Sequence, residues 1–186
     1  MLPFVSSTKL IREGGSGAGE HVEERIRVRP LSIRDFEFVR DLATRQSGFT
    51  IPPPYVLWKQ MEFDRDLCAI ADEIGGAPLA YLLASRVTFP AASTFVWQLG
   101  SSVRGLRLGA PLALLKRLAR VCMKFRVRTV FFTTVPGSAQ ERLVRSLTKE
   151  AFGVSPRRLS RLPASVSPDE HKYRIPVKSL RIRKRG

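Results

Sequence analysis

The segment FVWQLGSSVRGLRLGAPLALL, residues 95–115, decides the fold prediction. Its first part is rich in aromatic and β-branched residues, as strands are, and its last part has the apolar spacing of a helix. A turn rich in glycine and arginine lies between them. Such a strand–turn–helix unit directs backbone N–H groups and a helix N-terminus toward one point, which suits a phosphate or pyrophosphate. An ordinary strand–turn–helix crossover without a ligand is the alternative.

The composition predicts one globular domain with an unusual charge. The chain has 186 residues, 44% of them hydrophobic, and a formal net charge of +16. No apolar run approaches the roughly 20 residues that cross a bilayer, and residues 1–10 lack the pattern of a signal peptide. We therefore predict a cytoplasmic protein with no membrane partner. The two cysteines and two histidines are far apart in sequence and predict no metal site.

The excess of positive charge favours polyanionic partners, nucleic acid among them. Solubility alone is the simpler explanation, because basic clusters also attract nucleic acid without specificity. Part of the excess lies at the end of the chain, where residues 179–186 predict a basic tail. At the other end, residues 1–24 contain a stretch rich in glycine and predict a flexible leader.

Between these ends the hydrophobic pattern predicts alternating strands and helices. Strand patterns occur near 25–29, 67–71, 79–87, 94–99, 128–134 and 172–177, and helical spacing near 32–47, 56–61, 108–125 and 140–149. The resulting order, β-α-α-β-β-β-α-β-α-β, predicts an α/β layered domain.

The turn RGLRLGA, residues 104–110, is similar to the Arg/Gln-x-x-Gly-x-Gly/Ala signature of the GNAT superfamily of N-acetyltransferases. Arg104, Gly109 and Ala110 match it, whereas Arg107 stands at its central glycine. The resemblance implies a GNAT-like mixed central sheet of about six to seven strands with helices on both faces, a domain spanning 25–178, and acetyl-CoA as co-substrate. The cofactor-binding residues that it implies are Leu99, Ser101, Arg104, Gly105, Leu106, Arg107, Leu108, Gly109 and Ala110.

Other segments resemble one branch of that superfamily, the diaminobutyrate acetyltransferases. Residues 95–98, FVWQ, match a strand of that branch, and residues 167–175, SPDEHKYRI, resemble its terminal strand. In a substrate motif that ends at Tyr55, however, Thr50 and Pro52 replace an acidic residue and an asparagine. The resemblance therefore implies acetylation of a primary amine of a small molecule, a diamino acid being one candidate, with an altered acceptor.

Acetylation of an amine requires a base, because only the neutral amine attacks a thioester carbonyl. The resemblance puts Glu170 at the substrate pocket, which makes it the first candidate for this base, and Asp169 is the second. Glu62 and Glu73 are further alternatives. The residues expected to form the acceptor site are Thr50, Tyr55, Trp97, Asp169 and Glu170.

The group that protonates the leaving thiolate stays open. Many members of the superfamily use a tyrosine in the helix that corresponds to residues 140–149, where this chain has none. Tyr55, Ser146, Thr148 or a water molecule are the substitutes. The missing tyrosine and the large charge keep a second function open, a catalytically silent module of this fold that binds CoA or nucleic acid. A homodimer is also compatible with the superfamily.

Overall fold

The computed structural model describes residues 25–46, 53–88, 90–161 and 170–177. The strands are β1 (Ile26–Pro30), β2 (Ala69–Glu73), β3 (Pro78–Val87), β4 (Ser93–Ser101), β5 (Thr129–Thr134), β6 (Arg157–Arg161) and β7 (His171–Pro176). The helices are α1 (Phe36–Arg45), α2 (Pro54–Phe63), α3 (Val103–Arg107), α4 (Ala110–Lys124) and α5 (Ala139–Phe152). The strands form one mixed sheet in the order β1-β2-β3-β4-β5-β7-β6, which confirms the predicted fold class.

Helices pack on both faces of this sheet and create two apolar cores. Leu114 and Leu118 of α4 are buried on one face, against β2, β3, β5 and β7. Val39 of α1 and Leu57 of α2 are buried on the other face, against Ile70 of β2. Burying a leucine or valine side chain contributes about 1.5–3 kcal/mol, so the apolar stripes of these helices fix their positions on the sheet. Within the described ranges, no helix combines the length and the apolar character needed to span a membrane.

Strand β6 and helix α3 are the elements that the hydrophobic pattern does not predict. The residues of β6, RRLSR, look like a basic cluster, yet β6 pairs antiparallel with β7, where Arg157 is opposite Arg174. Backbone hydrogen bonds to β7 place β6 at the edge of the sheet, where charged side chains are usual. Helix α4 begins at Ala110, slightly later than predicted, because the residues before it form α3.

The parallel strands β4 and β5 separate soon after they begin. They pair at Ser93–Thr129, Thr94–Val130 and Phe95–Phe131. Beyond Phe95, β4 continues to Ser101 along β3 alone, and β5 continues to Thr134 along β7 alone. A gap therefore opens between two central strands, and each leaves one row of backbone groups unpaired along it.

Candidate functional site

The open edge of β4 directs backbone N–H groups into this gap. Ser102 N–H donates to the Leu79 carbonyl of β3 at 2.9 Å. Because hydrogen bonding alternates along an antiparallel pair, Gly100 also bonds toward β3, and the N–H groups of Leu99 and Ser101 point the other way. The Ser101 carbonyl, on the same open edge, accepts a hydrogen bond from Gln46 Nε2 at 2.7 Å. The Leu99 N–H therefore points into the gap and away from β3.

A bulge in β4 turns Trp97 out of the core. The register shifts between Leu83 and Ala84, which face Gln98 and Val96, and Trp97 is the extra residue. Its side chain is 58% exposed, and its ring lies edge-on to Phe95, with centroids 5.3 Å apart. The sequence prediction that Trp97 borders the site is compatible with this position beside the gap.

The first half of the glycine- and arginine-rich turn after β4 forms the short helix α3, whereas a phosphate-binding loop leaves its backbone N–H groups free. Ser102 caps α3 by accepting the Gly105 N–H at 3.0 Å. The N–H groups of Leu106, Leu108 and Gly109 donate to the carbonyls of Ser102, Arg104 and Leu106. Four residues of the predicted cofactor site, Gly105, Leu106, Leu108 and Gly109, therefore have N–H groups that are already bonded. Gly105 serves packing, since a Cβ there would lie 2.6 Å from the Leu79 carbonyl oxygen.

The first turn of α4 supplies the open N–H groups of this region. The chain reverses at Gly109, whose φ of 74° is left-handed, and α4 begins at Ala110. The N–H groups of Ala110 and Leu112 lie among the first four of the helix and have no intrahelical acceptor. No side chain caps this helix, and its first turn contains no acidic residue. The partial positive charge at this terminus therefore favours an anion.

Arginines surround a cavity of about 420 Å³ beside α3. Its lining residues are Arg25, Val103, Arg104, Arg107 and Leu108. Nε and one terminal nitrogen of Arg104 donate to Glu73 at 2.7 and 2.5 Å. This bidentate contact lowers the pKa of Glu73 and raises the pKa of Arg104. Arg107 forms no salt bridge with another described residue.

A second groove, of about 750 Å³, includes the same turn. Leu108 and Gly109 line it, followed by Leu112, Lys116 and Arg120 of α4. Together, the cavity and the groove place Arg25 and Arg107 near the start of α4 and Lys116 and Arg120 along it, with Glu150 of α5 also lining the groove. The excess of cations suits a ligand with several phosphates.

The predicted acceptor residues are only partly brought together. Glu170 directly precedes β7, whose His171 pairs with Thr134 at the end of β5, so Glu170 lies one strand from the gap. Tyr55 lies in the first turn of α2, 68% exposed, with its ring 5.8 Å from that of Trp58. No ring contact between described residues joins Tyr55 to Trp97. Thr50 and Asp169 lie outside the described residues.

Sequence reasoning missed a buried tyrosine–carboxylate pair. Tyr173 Oη donates to Glu141 Oε1 at 2.5 Å, and Glu141 Oε2 accepts the Gly137 N–H at 2.6 Å. Burial and the contact with Glu141 raise the pKa of Tyr173 to about 12. The hydrogen bonds from Tyr173 and Gly137 hold the pKa of Glu141 below its ordinary value. The pair joins the first turn of α5 to β7, and the signal for it was a tyrosine on the inward face of an alternating strand.

Of the other candidate acids, Thr148 is buried, and its hydroxyl donates to the Val144 carbonyl of its own helix at 2.8 Å. Ser146 lies on the exposed side of α5. In the described part of the chain, no cluster of three histidine, cysteine or acidic residues is arranged to hold a metal ion.

Comparison with known proteins identifies the fold. No protein-family profile and no curated protein sequence matches the chain. Among solved structures, the diaminobutyrate acetyltransferase EctA of Paenibacillus lautus, in complex with L-2,4-diaminobutyric acid and coenzyme A, is 22% identical, with a TM-score of 0.69 over 82% of this chain and 95% of that one. The ribosomal-protein-S18-alanine N-acetyltransferase of Escherichia coli is 17% identical, with a TM-score of 0.60 over 82% and 94%.

An acetyltransferase of the GNAT family from Staphylococcus aureus is 12% identical, with a TM-score of 0.63 over 82% of this chain and 99% of that one. The chain therefore has the fold of the GNAT N-acetyltransferases. At these identities the likeness establishes the fold alone.

Proposed function

We propose that this chain is an N-acetyltransferase that transfers an acetyl group from acetyl-CoA to a primary amine of a small molecule. The observation that carries the proposal is the gap between β4 and β5, bordered by the Leu99 N–H and followed by the open first turn of α4. The structural neighbours support it, because the three described above are named as acetyltransferases and the first of these was solved with coenzyme A.

The residues around α4 fit the anionic part of such a co-substrate. The N–H groups of Ala110 and Leu112 would hold the pyrophosphate, and Arg107 with Arg25 would contribute charge from the neighbouring cavity. The open edge of β4 offers hydrogen bonds to the amide groups of an extended arm lying in the gap. Gly105 and Leu106 are better described as residues that shape the turn, since their N–H groups are bonded within it.

When bound, acetyl-CoA supplies an acetyl group activated as a thioester. Glu170 accepts a proton from the acceptor ammonium, and the neutral nitrogen forms a bond to the acetyl carbon as the carbon–sulfur bond breaks. The Leu99 N–H donates to the carbonyl oxygen as negative charge develops there. Thr148 is bonded to its own helix, Ser146 lies on the exposed side of α5, and Tyr55 is exposed beside Trp58, so we assign protonation of the thiolate to solvent. The products are an acetamide and a free thiol, with one proton released overall.

The first experiment is calorimetric titration with acetyl-CoA at two salt concentrations. We expect saturable micromolar binding, weakened about tenfold by Arg107→Gln because one charge-assisted contact is lost. Arg34→Gln, which removes an exposed charge in the turn before α1, is the matched control and should change the affinity little. Absence of binding at both salt concentrations would contradict the proposal.

The bond between Arg104 and Glu73 gives a separate test of the phosphate assignment. If Arg104 contacts the co-substrate, Glu73→Gln releases its guanidinium and should strengthen acetyl-CoA binding, whereas Arg104→Gln should weaken it. Equal affinities in both variants would restrict Arg104 to its structural contact with Glu73.

Glu170 is tested by comparing turnover with cofactor affinity. Glu170→Gln should lower kcat by about 100-fold, the lower end of the usual contribution of a general base, and leave acetyl-CoA binding unchanged. A variant as active as the original protein removes Glu170 from the mechanism.

The charge distribution favours a second candidate function, a silent or weakly active domain that binds nucleic acid. From Arg104 to Arg161 the chain has 14 lysines and arginines but two acidic residues, Glu141 and Glu150. Nucleic-acid binding should weaken steeply with salt, and deletion of residues 181–186 should reduce that slope. Binding that ignores salt would exclude this function.

A further inference from the structure

We infer that the acceptor amine carries an anionic group, a carboxylate or a phosphate, and that Lys172 and Arg174 of β7 bind this group. The inference rests on the proposed function, because it assigns a substrate class to the same site. Three observations lead to it: the face on which these cations lie, their lack of carboxylate partners, and a buried donor left without an acceptor.

Lys172 and Arg174 lie on the sheet face opposite α4 and α5. The alternate residues Tyr173 and Ile175 belong to the core beneath those helices, so Lys172 and Arg174 point to the other face. The same alternation in β5 places Phe131 and Thr133 on that face, opposite Arg174 and Lys172. Phe131 also pairs with Phe95 at the last rung before the gap. The two cations therefore border the gap on the side where the rings of Phe95 and Trp97 contact each other.

These cations have no negative partner in the described part of the chain. Neither Lys172 nor Arg174 forms a salt bridge there. The Lys172 ammonium lies 4.3 Å from the centre of the Phe131 ring, which holds it beside the gap. Arg157 of β6 is directly opposite Arg174, and like charges in such a pair repel each other.

Arg174 also contains an unsatisfied donor. Its Nε is buried and has no hydrogen-bond partner among the described residues. Buried N–H groups are nearly always bonded, so this Nε is a donor that a bound ligand can satisfy. A carboxylate or phosphate oxygen would accept this hydrogen bond and offset the repulsion between Arg174 and Arg157.

Glu170 and Lys172 together suit a molecule with one positive and one negative end. If the strand alternation extends one residue before β7, Glu170 shares the face of Lys172, about 6.6 Å away along the strand. A single small acceptor can therefore place its ammonium at Glu170 and its anionic group at Lys172 and Arg174. Polyamines, which have only positive ends, are repelled by the same residues.

The test compares acceptors that differ only in the anionic group. L-2,4-Diaminobutyrate is paired with 1,3-diaminopropane, ornithine with 1,4-diaminobutane, and 2-aminoethylphosphonate with ethylamine. Binding to the full chain is measured by calorimetry with and without CoA, and acetylation by thiol release. We expect the anionic member of at least one pair to bind about tenfold or more tightly, and the pair identifies carboxylate or phosphate as the group.

The variants Lys172→Gln and Arg174→Gln should abolish this preference by raising KM, while kcat and CoA affinity stay near their original values. Lys149→Gln, an exposed charge change on α5, is the matched control. Equal binding within every pair, no binding of any acceptor, or a preference that survives both variants would overturn the inference. Failure of CoA to bind would overturn the proposed function instead, and the measurements without CoA keep the two results separate.

Discussion

Gly100 lies in the part of β4 that no longer pairs with β5, directly against the buried ring of Tyr81. The substitution Gly100→Ala tests whether this contact sets the position of the strand. An added Cβ would lie 2.6 Å from Tyr81 Cζ, whereas ordinary contacts are at least 3.4 Å. The ring cannot easily retreat, because Tyr81 is fully buried, with the Phe38 ring 6.4 Å away and its hydroxyl bonded to Gln98 at 3.1 Å.

Overpacking of this kind costs about 1–3 kcal/mol. Replacing glycine returns about 0.4–1 kcal/mol by restricting the unfolded chain. We therefore expect Gly100→Ala to lower the free energy of unfolding by about 1–2 kcal/mol, which corresponds to a fall in Tm of roughly 2–8 °C for a chain of this size. The strand should also shift toward the gap, so acetyl-CoA affinity should fall as well.

The assay is urea denaturation of a double-mutant cycle with Tyr81→Leu. The smaller side chain makes room for the Cβ, so the double variant should be more stable than the sum of the two single effects by about 0.5–3 kcal/mol. Gly76→Ala is the control, because the nearest atom to its Cβ would be Cβ of Glu73, at 3.2 Å. Additive effects, or a Gly100→Ala variant as stable as the Gly76→Ala control, would refute the steric argument.

Four further predictions concern the core and the buried titratable groups. Leu118→Ala should cost about 2–5 kcal/mol in urea denaturation because it leaves a cavity in a fully buried position, whereas Trp97→Ala, at an exposed position, should cost less than 1 kcal/mol. The folded protein holds the pKa of Glu141 below its ordinary 4.5. The ionised Glu141 therefore adds to the free energy of unfolding above that pH, and this contribution is lost as pH falls. In Glu141→Gln the free energy of unfolding should depend less on pH on the acid side. Tyr173, with its pKa raised from 10.0 to about 12, should add a loss of stability as pH rises through that interval, which Tyr173→Phe removes. Burial raises the pKa of Cys68 to about 11 and of Cys122 to about 12, so both thiols should resist alkylation at pH 8 until the protein unfolds; rapid labelling of the native protein would contradict this.

The strands and helices with clear hydrophobic periodicity could be predicted from the sequence. The α4 pattern indicates its buried face directly, because Leu114, Leu118 and Cys122 recur every four residues. Strand β6 could not be predicted, since its partner β7 stabilises it and its own residues are basic. The local hydrophobic pattern indicates which residues are buried, but it does not indicate which strands pair with each other.

The candidate site was predictable only in outline. The sequence located the turn at residues 104–110, but the capping by Ser102 that turns its first half into α3 depends on backbone geometry. Arg104 fits a phosphate signature, yet Glu73, 31 residues earlier, holds its guanidinium. The bulge that turns Trp97 outward requires the register of β3 and β4. Each of these features depends on pairing between distant segments.

The short pairing of β4 with β5 divides the sheet into two subsheets. One subsheet contains β1 to β4 and the other contains β5, β7 and β6, and three residue pairs join them. The second connection is α4, which packs mainly on β1 to β4 but shares its core with β5 and β7, and which also packs against α5, whose first turn is bonded to β7. A change in side-chain volume between α4 and α5 should therefore alter the angle between the two subsheets. The width of the gap should change with that angle, although no residue that lines the gap is substituted.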